Sequence, residues 1–165
     1  MSDLNPVLRL SEIETEPFAQ GDLYQSRDAV LGGRLGLSAL GCGYSEVPPG
    51  KSGCPFHNHH GEDEMFVILA GEGVYRFGDA RHAFRAGDIL AAPAGGPETA
   101  HQIINTGDTP LRYLAISSMA DLDICEYPDS GKFLARAKGA DGKARFRQIR
   151  GSEGDIDYWE GEPGA

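Results

Sequence analysis

The chain has 165 residues, 40% hydrophobic and 24% charged, with 15 basic against 25 acidic side chains for a net charge of −10. That length suits one domain of roughly 100–200 residues, and the acidic balance argues against nucleic-acid binding through the phosphates. The longest apolar run, Met65 to Ala70, is far short of the ~20 residues that a membrane-spanning helix needs.

Residues 1–32 read as an N-terminal arm or edge strand of mixed polarity, and they lack the apolar h-region of a signal peptide. A cytoplasmic location is the expectation. From residue 33 to 128 the chain becomes a series of short segments punctuated by glycine. Leu35, Leu37 and Ala39 alternate with Arg34, Gly36 and Ser38, a period of two that predicts a half-buried strand. Val47-Pro48-Pro49-Gly50 ends it, since proline offers no ladder donor. Further strands are predicted at 64–69, 73–77, 81–84, 88–92, 101–105 and 111–117. Gly78-Asp79 between two apolar runs predicts a two-residue hairpin, because glycine takes positive φ cheaply. Nothing in this stretch reads as a βαβ unit. The prediction is all-β and antiparallel, with a C-terminal extension over 129–165.

Along 64–69 both alternating faces are apolar, Phe66 and Ile68 on one and Met65, Val67 and Leu69 on the other. A strand buried on one face alone would alternate with polar residues. The second face is expected to be covered by a partner copy in a homodimer, or by the arm. Residues 132–150 hold seven basic side chains against Asp141 alone, followed by an acidic end; they read as a solvated face rather than an anion patch. Tyr158 and Trp159 are expected to pack this tail onto the body. Cys42, Cys54 and Cys125 are too few and scattered for a disulfide framework and read as small buried hydrophobes.

The chemistry concentrates in Pro55-Phe56-His57-Asn58-His59-His60 and at His101. In an extended segment His57 and His59 share a face and His60 points away. Glu64 has the parity of Phe66 and Ile68, so it is placed inward, while His101 opens a later strand. His82 falls in a hairpin and is expected to face solvent. Three imidazoles and a carboxylate converging in one interior make a site for a divalent transition metal, because imidazole suits Fe, Ni, Cu or Zn. Glu62 and Asp63 read as solvated loop acids. Tyr44, Glu46, Glu98 and Tyr113 are candidate groups for the pocket.

H-x-H-x4-E-x6-G, here His57, His59, Glu64 and Gly71, resembles the first signature of the cupin superfamily. Gly87, Pro93, Gly95, His101 and Asn105 resemble the second, with five residues between Gly95 and His101 where the usual pattern has two. The resemblance implies a small jelly-roll β-barrel. It also implies that His57, His59, Glu64 and His101 ligate one divalent transition metal ion: Zn, Fe, Mn or Ni. Segments 126–132 and 157–162 resemble those of small bacterial cupins labelled sugar-phosphate-isomerase-like. The functional expectation is a metal-dependent enzyme on a small polar, sugar-like or carbonyl molecule, isomerase-type ahead of dioxygenase. The alternatives are a non-catalytic metal-containing binding or sensor module, and a structural barrel with a relic site.

Overall fold

A computed structural model describes residues 6–139, 143–151, 154, 160 and 163. Tyr158 and Trp159, expected to tether the tail, lie outside the described residues. The architecture is all-β and antiparallel, with helical turns only at Leu10–Glu12 and Pro97–Thr99 among the described residues. Among the described residues no helix is long and apolar enough to cross a membrane.

The strands are β1 (Glu16–Gln20), β2 (Tyr24–Val30), β3 (Leu40–Val47), β4 (Asn58–His59), β5 (Glu64–Ala70), β6 (Glu72–Phe77) and β7 (Ala80–Arg85). They continue with β8 (Ile89–Ala92), β9 (His101–Ile104), β10 (Leu111–Ser118), β11 (Leu122–Tyr127), β12 (Lys132–Lys138) and β13 (Ala144–Gly151). One sheet runs β1-β2-β3-β10-β5-β8, a second β7-β6-β9 and a third β13-β12-β11-β4. The expected arm thus supplies, over residues 16–30, a hairpin, β1–β2, to the edge of the largest sheet, and the basic segment supplies β12 and β13.

Alternation explains which side is buried. Phe66 and Ile68 of β5, Tyr75 of β6, Phe84 of β7, Leu90 of β8, Ile103 of β9 and Tyr113 of β10 point into one core with Val47 and Leu111. Members come from the six- and three-stranded sheets, so those sheets face each other across it, each large apolar side chain contributing about 1.5–3 kcal/mol. A smaller cluster of Ala29, Leu31 and Tyr44 is covered from outside by Leu8 and Ile13. The hairpin at Gly78-Asp79 forms as predicted: Phe77 pairs with Ala80 and Gly78 takes φ +52°.

The strand predicted over 34–39 is absent. Residues 32–36 form turns, with the Leu35 amide donating to the Leu31 carbonyl and Gly36 at φ +70°. Its period of two set Leu35, Leu37 and Ala39 against Arg34, Gly36 and Ser38, but a glycine in a left-handed conformation reverses the chain instead of extending it. The next strand starts at Leu40.

Candidate metal centre

The extra residues before His101 are absorbed by the Pro97–Thr99 turn. An isolated antiparallel bridge then seats His101 opposite His57, its amide donating 2.7 Å to the His57 carbonyl and accepting 3.1 Å in return at its own carbonyl. β4 hangs from β11 through the Cys125–His59 pairing, and β5 opens with Glu64. Three segments distant in sequence therefore converge. The rings of His57 and His59 lie 5.2 Å apart, and those of His57 and His101 4.5 Å.

A neutral imidazole has one N–H and one lone pair, and its hydrogen-bond partner decides which nitrogen is which. His57 Nδ1 faces the Pro55 carbonyl at 2.8 Å and His101 Nδ1 the Thr99 carbonyl at 3.3 Å. His59 Nδ1 faces the Asp123 carboxylate at 2.7 Å. All three acceptors lack a hydrogen to give, so each Nδ1 carries a proton and each Nε2 is the nitrogen left for ligation. Those Nε2 atoms lie 3.7, 3.6 and 3.0 Å from Glu64 Oε2 for His57, His59 and His101. The donors of His57, Glu64 and His101 all fall within 4.8 Å of one another, and His59 joins through Glu64. Ligands at about 2.0–2.2 Å from one ion stand about 3–4 Å from each other. Donor chemistry and spacing both suit a divalent transition metal.

The electrostatics agree. Burial, then the neighbouring His101, pushes the His57 imidazole down to about 4, so it is a neutral donor at physiological pH. Burial also disfavours charge on His59, but the Asp123 hydrogen bond and the Glu64 carboxylate outweigh it and hold the group above its ordinary value. Burial alone would raise Glu64; the His101 hydrogen bond and the surrounding imidazoles win and keep it low. His101 Nε2 and Glu64 Oε2 stand 3.0 Å apart, a separation that two ligands of one ion would keep.

His60 turns away, its Nε2 2.9 Å from Glu126 on the other side of β11, and His82 is exposed. Tyr44 and Glu46 do not line the site: they bond to each other at 2.7 Å, with the Tyr44 ring in the outer cluster beside the arm. Tyr113 is a core residue packed edge-on to Phe66 at 5.9 Å. Glu98 is exposed and accepts from the Gly96 amide.

Glu62 departs from its reading as a solvated acid. It is 4% exposed, accepts from the Ala120 amide at 2.8 Å and forms an ion pair with Arg136. Arg136 also reaches Asp123, 3.7 Å away, whose second oxygen accepts from the Gly61 amide at 3.0 Å. Asp123 is thus a buried carboxylate held by three partners and aimed at His59. Burial works against its charge, but these partners win and its carboxyl sits below the ordinary value. Cys125 lies on the same side of β11, with a donor set that includes His57 and His59 within 4.8 Å. Burial pushes its thiol up to about 11 despite a hydrogen bond from Tyr127, so at neutral pH it is not a thiolate. Tyr127 stacks at 6.1 Å over His57. The only signal for this group in the sequence was parity: Asp123, Cys125 and Tyr127 alternate with Leu122, Ile124 and Glu126.

Antiparallel sheets enclosing a histidine- and carboxylate-lined interior define a cupin. Residues 43–117 match the profile of the Cupin domain, and the chain belongs to the cupin superfamily. It is 39% identical over 71 residues to an oxalate-binding protein of Thermotoga maritima, a match covering 43% of this chain and 55% of that protein. The chain thus spans about half the length of that curated relative. A cupin-superfamily sugar phosphate isomerase from Silicibacter pomeroyi superposes with a TM-score of 0.74 at 24% identity, covering 90% of this chain and 94% of that one, a likeness of fold. A predicted oxalate decarboxylase from Thermotoga maritima gives 0.60 at 32% identity over 69% of this chain and 99% of that one.

Proposed function

We propose that His57, His59, Glu64 and His101 hold one divalent transition metal ion whose open coordination positions take up a small oxygen-rich molecule, and that the chain is an enzyme on such a carbonyl or sugar-like compound. The observation that carries this reading is the shared orientation of the three rings, each with Nδ1 engaged outward and Nε2 within 3.7 Å of one carboxylate oxygen. When bound, the metal supplies Lewis acidity toward a carbonyl or hydroxyl oxygen.

The protein's own groups favour isomerisation over oxygenation. Burial raises the Tyr127 phenol, so it stays protonated over His57, and turning its hydroxyl from Cys125 lets it donate to an oxygen gaining negative charge. A second reading, retention of a small carboxylate without turnover, is favoured by the likeness to the oxalate-binding protein and by the commitment of Asp123 and Glu62 to Arg136, which leaves neither free as a base.

Nuclear magnetic resonance of the metal-loaded protein with hydroxy-aldehydes and hydroxy-ketones in deuterated water separates them. Deuterium incorporation beside the carbonyl is expected for the enzyme. Calorimetric binding of oxalate with no exchange in any carbonyl compound would replace it with the second reading.

A further inference from the structure

Of the seven cations of residues 132–150, Arg136 braces Asp123 beside the metal site, and the sheet divides them by face. Paired residues of antiparallel strands project to the same side. Tyr127 pairs with Lys132, Asp123 with Arg136 and Arg136 with Arg147, while Cys125 pairs with His59. Lys132, Arg136 and Arg147 therefore share the face of His59, Asp123 and Tyr127. Arg150 stands on the other, in the row of Glu126 and Phe133.

Arg136 is already engaged by Glu62 and Asp123. Lys132 and Arg147 are not: neither forms an ion pair among the described residues. The Lys132 ammonium sits 5.0 Å from the Tyr127 ring centroid and that ring 6.1 Å from the His57 ring, which puts the cation at most about 11 Å from the imidazole. The nearby carboxylates have partners of their own. Asp129 takes a bidentate pair from Arg76 at 2.6 and 2.8 Å, and Glu126 bonds His60 at 2.9 Å and Asn58 at 3.1 Å. In a chain of net charge −10, the uncommitted charge beside Tyr127 among the described residues is positive. A local field of that sign draws in and orients an anion.

We propose that Lys132, beside Tyr127, and Arg147, on the same face in the row of Asp123 and Arg136, form a subsite for the anionic group, carboxylate or phosphate, of the small molecule whose oxygen donors occupy the metal. The ligand class is then a short hydroxy-carbonyl compound with a charged end, which deepens the proposed function and rests on it. A metal-to-cation span of this size is bridged by a short carbon chain.

The test uses the metal-loaded full chain and three probes with a common hydroxy-ketone head: dihydroxyacetone, dihydroxyacetone phosphate and hydroxypyruvate. Their dissociation constants are measured calorimetrically, with metal content measured on the same samples. At least one anionic probe is expected to bind about tenfold or more tighter than dihydroxyacetone, as charge-assisted contacts allow, and the two anions show which group the site takes. In Lys132→Gln/Arg147→Gln that advantage falls below about threefold, with metal content and dihydroxyacetone binding unchanged. Lys132→Arg/Arg147→Lys keeps it, and Arg150→Gln, on the other face, leaves it intact. An undiminished advantage in the double Gln variant, or no advantage in the parent, overturns the subsite while leaving the metal reading standing. A parent chain without metal fails the metal reading instead.

Discussion

Replacing Asp123 by Asn tests how the C-terminal hairpin governs the metal-facing nitrogen of His59. The carboxylate accepts from His59 Nδ1 at 2.7 Å and from the Gly61 amide at 3.0 Å, one oxygen for each. An amide of the same shape has only one oxygen. If that oxygen faces Gly61, the NH2 group faces His59 and the imidazole must accept through Nδ1, which moves its proton to Nε2 and blocks ligation. If it faces His59, the NH2 group opposes the Gly61 amide. Loss of such an outer partner typically weakens metal binding about 10–100-fold, equivalent to about 1.4–2.7 kcal/mol. Competition against a chromophoric chelator measures the affinity, and the cobalt-substituted visible spectrum reports the change in ligation independently. In a His59→Ala background Asp123→Asn is expected to add almost nothing, because the two act as one unit. Affinity within twofold of the parent chain, with an unaltered cobalt spectrum, would refute the orienting role.

Other expectations are independent of the metal. Gly73→Ala places a methyl group against the Ile104 carbonyl and 2.7 Å from Phe84 Cζ, neither of which can move freely, and is expected to cost about 1–3 kcal/mol in chemical denaturation; Gly33→Ala, with open space around it, stays within about 0.5 kcal/mol. The thiols of Cys54 and Cys125, pushed up to about 12 and about 11 chiefly by burial, are expected to resist a disulfide reagent at pH 8 until the chain unfolds; rapid reaction in the folded state would contradict their placement. Met65, Leu69 and Ile89, exposed by 41, 38 and 67%, form the outer face through which we propose the chain dimerises; light scattering should give twice the chain mass, falling to one chain in Met65→Glu/Ile89→Lys, and a monomeric parent would refute it.

Strands of the core were legible where apolar and polar residues alternate, as Tyr75 and Phe77 do around Arg76, and because Gly78 marks its hairpin by positive φ. The same rule misfired at 34–39, where Leu35 and Leu37 alternate with glycine and the chain turns. Parity brought His57, His59 and Glu64 together because they lie within eight residues of one another, so local extension fixes their relation. His101 needed the family spacing, and the turn at Pro97–Thr99 that seats it has no counterpart in alternation. Asp123, Glu62 and Arg136 were unreadable for another reason. Glu62 meets Arg136, and Asp123 meets His59, only across more than sixty residues, and a buried carboxylate looks like a solvated one until its partner is in place.

Elemental analysis of untagged protein, purified without chelators, tests the central claim most directly. The account predicts about one divalent transition metal ion per chain, lost in His59→Ala and Glu64→Ala but retained in His60→Ala, whose side chain faces Glu126. A metal-free parent from replete medium, or equal metal loss in the His59 and His60 variants, would contradict it.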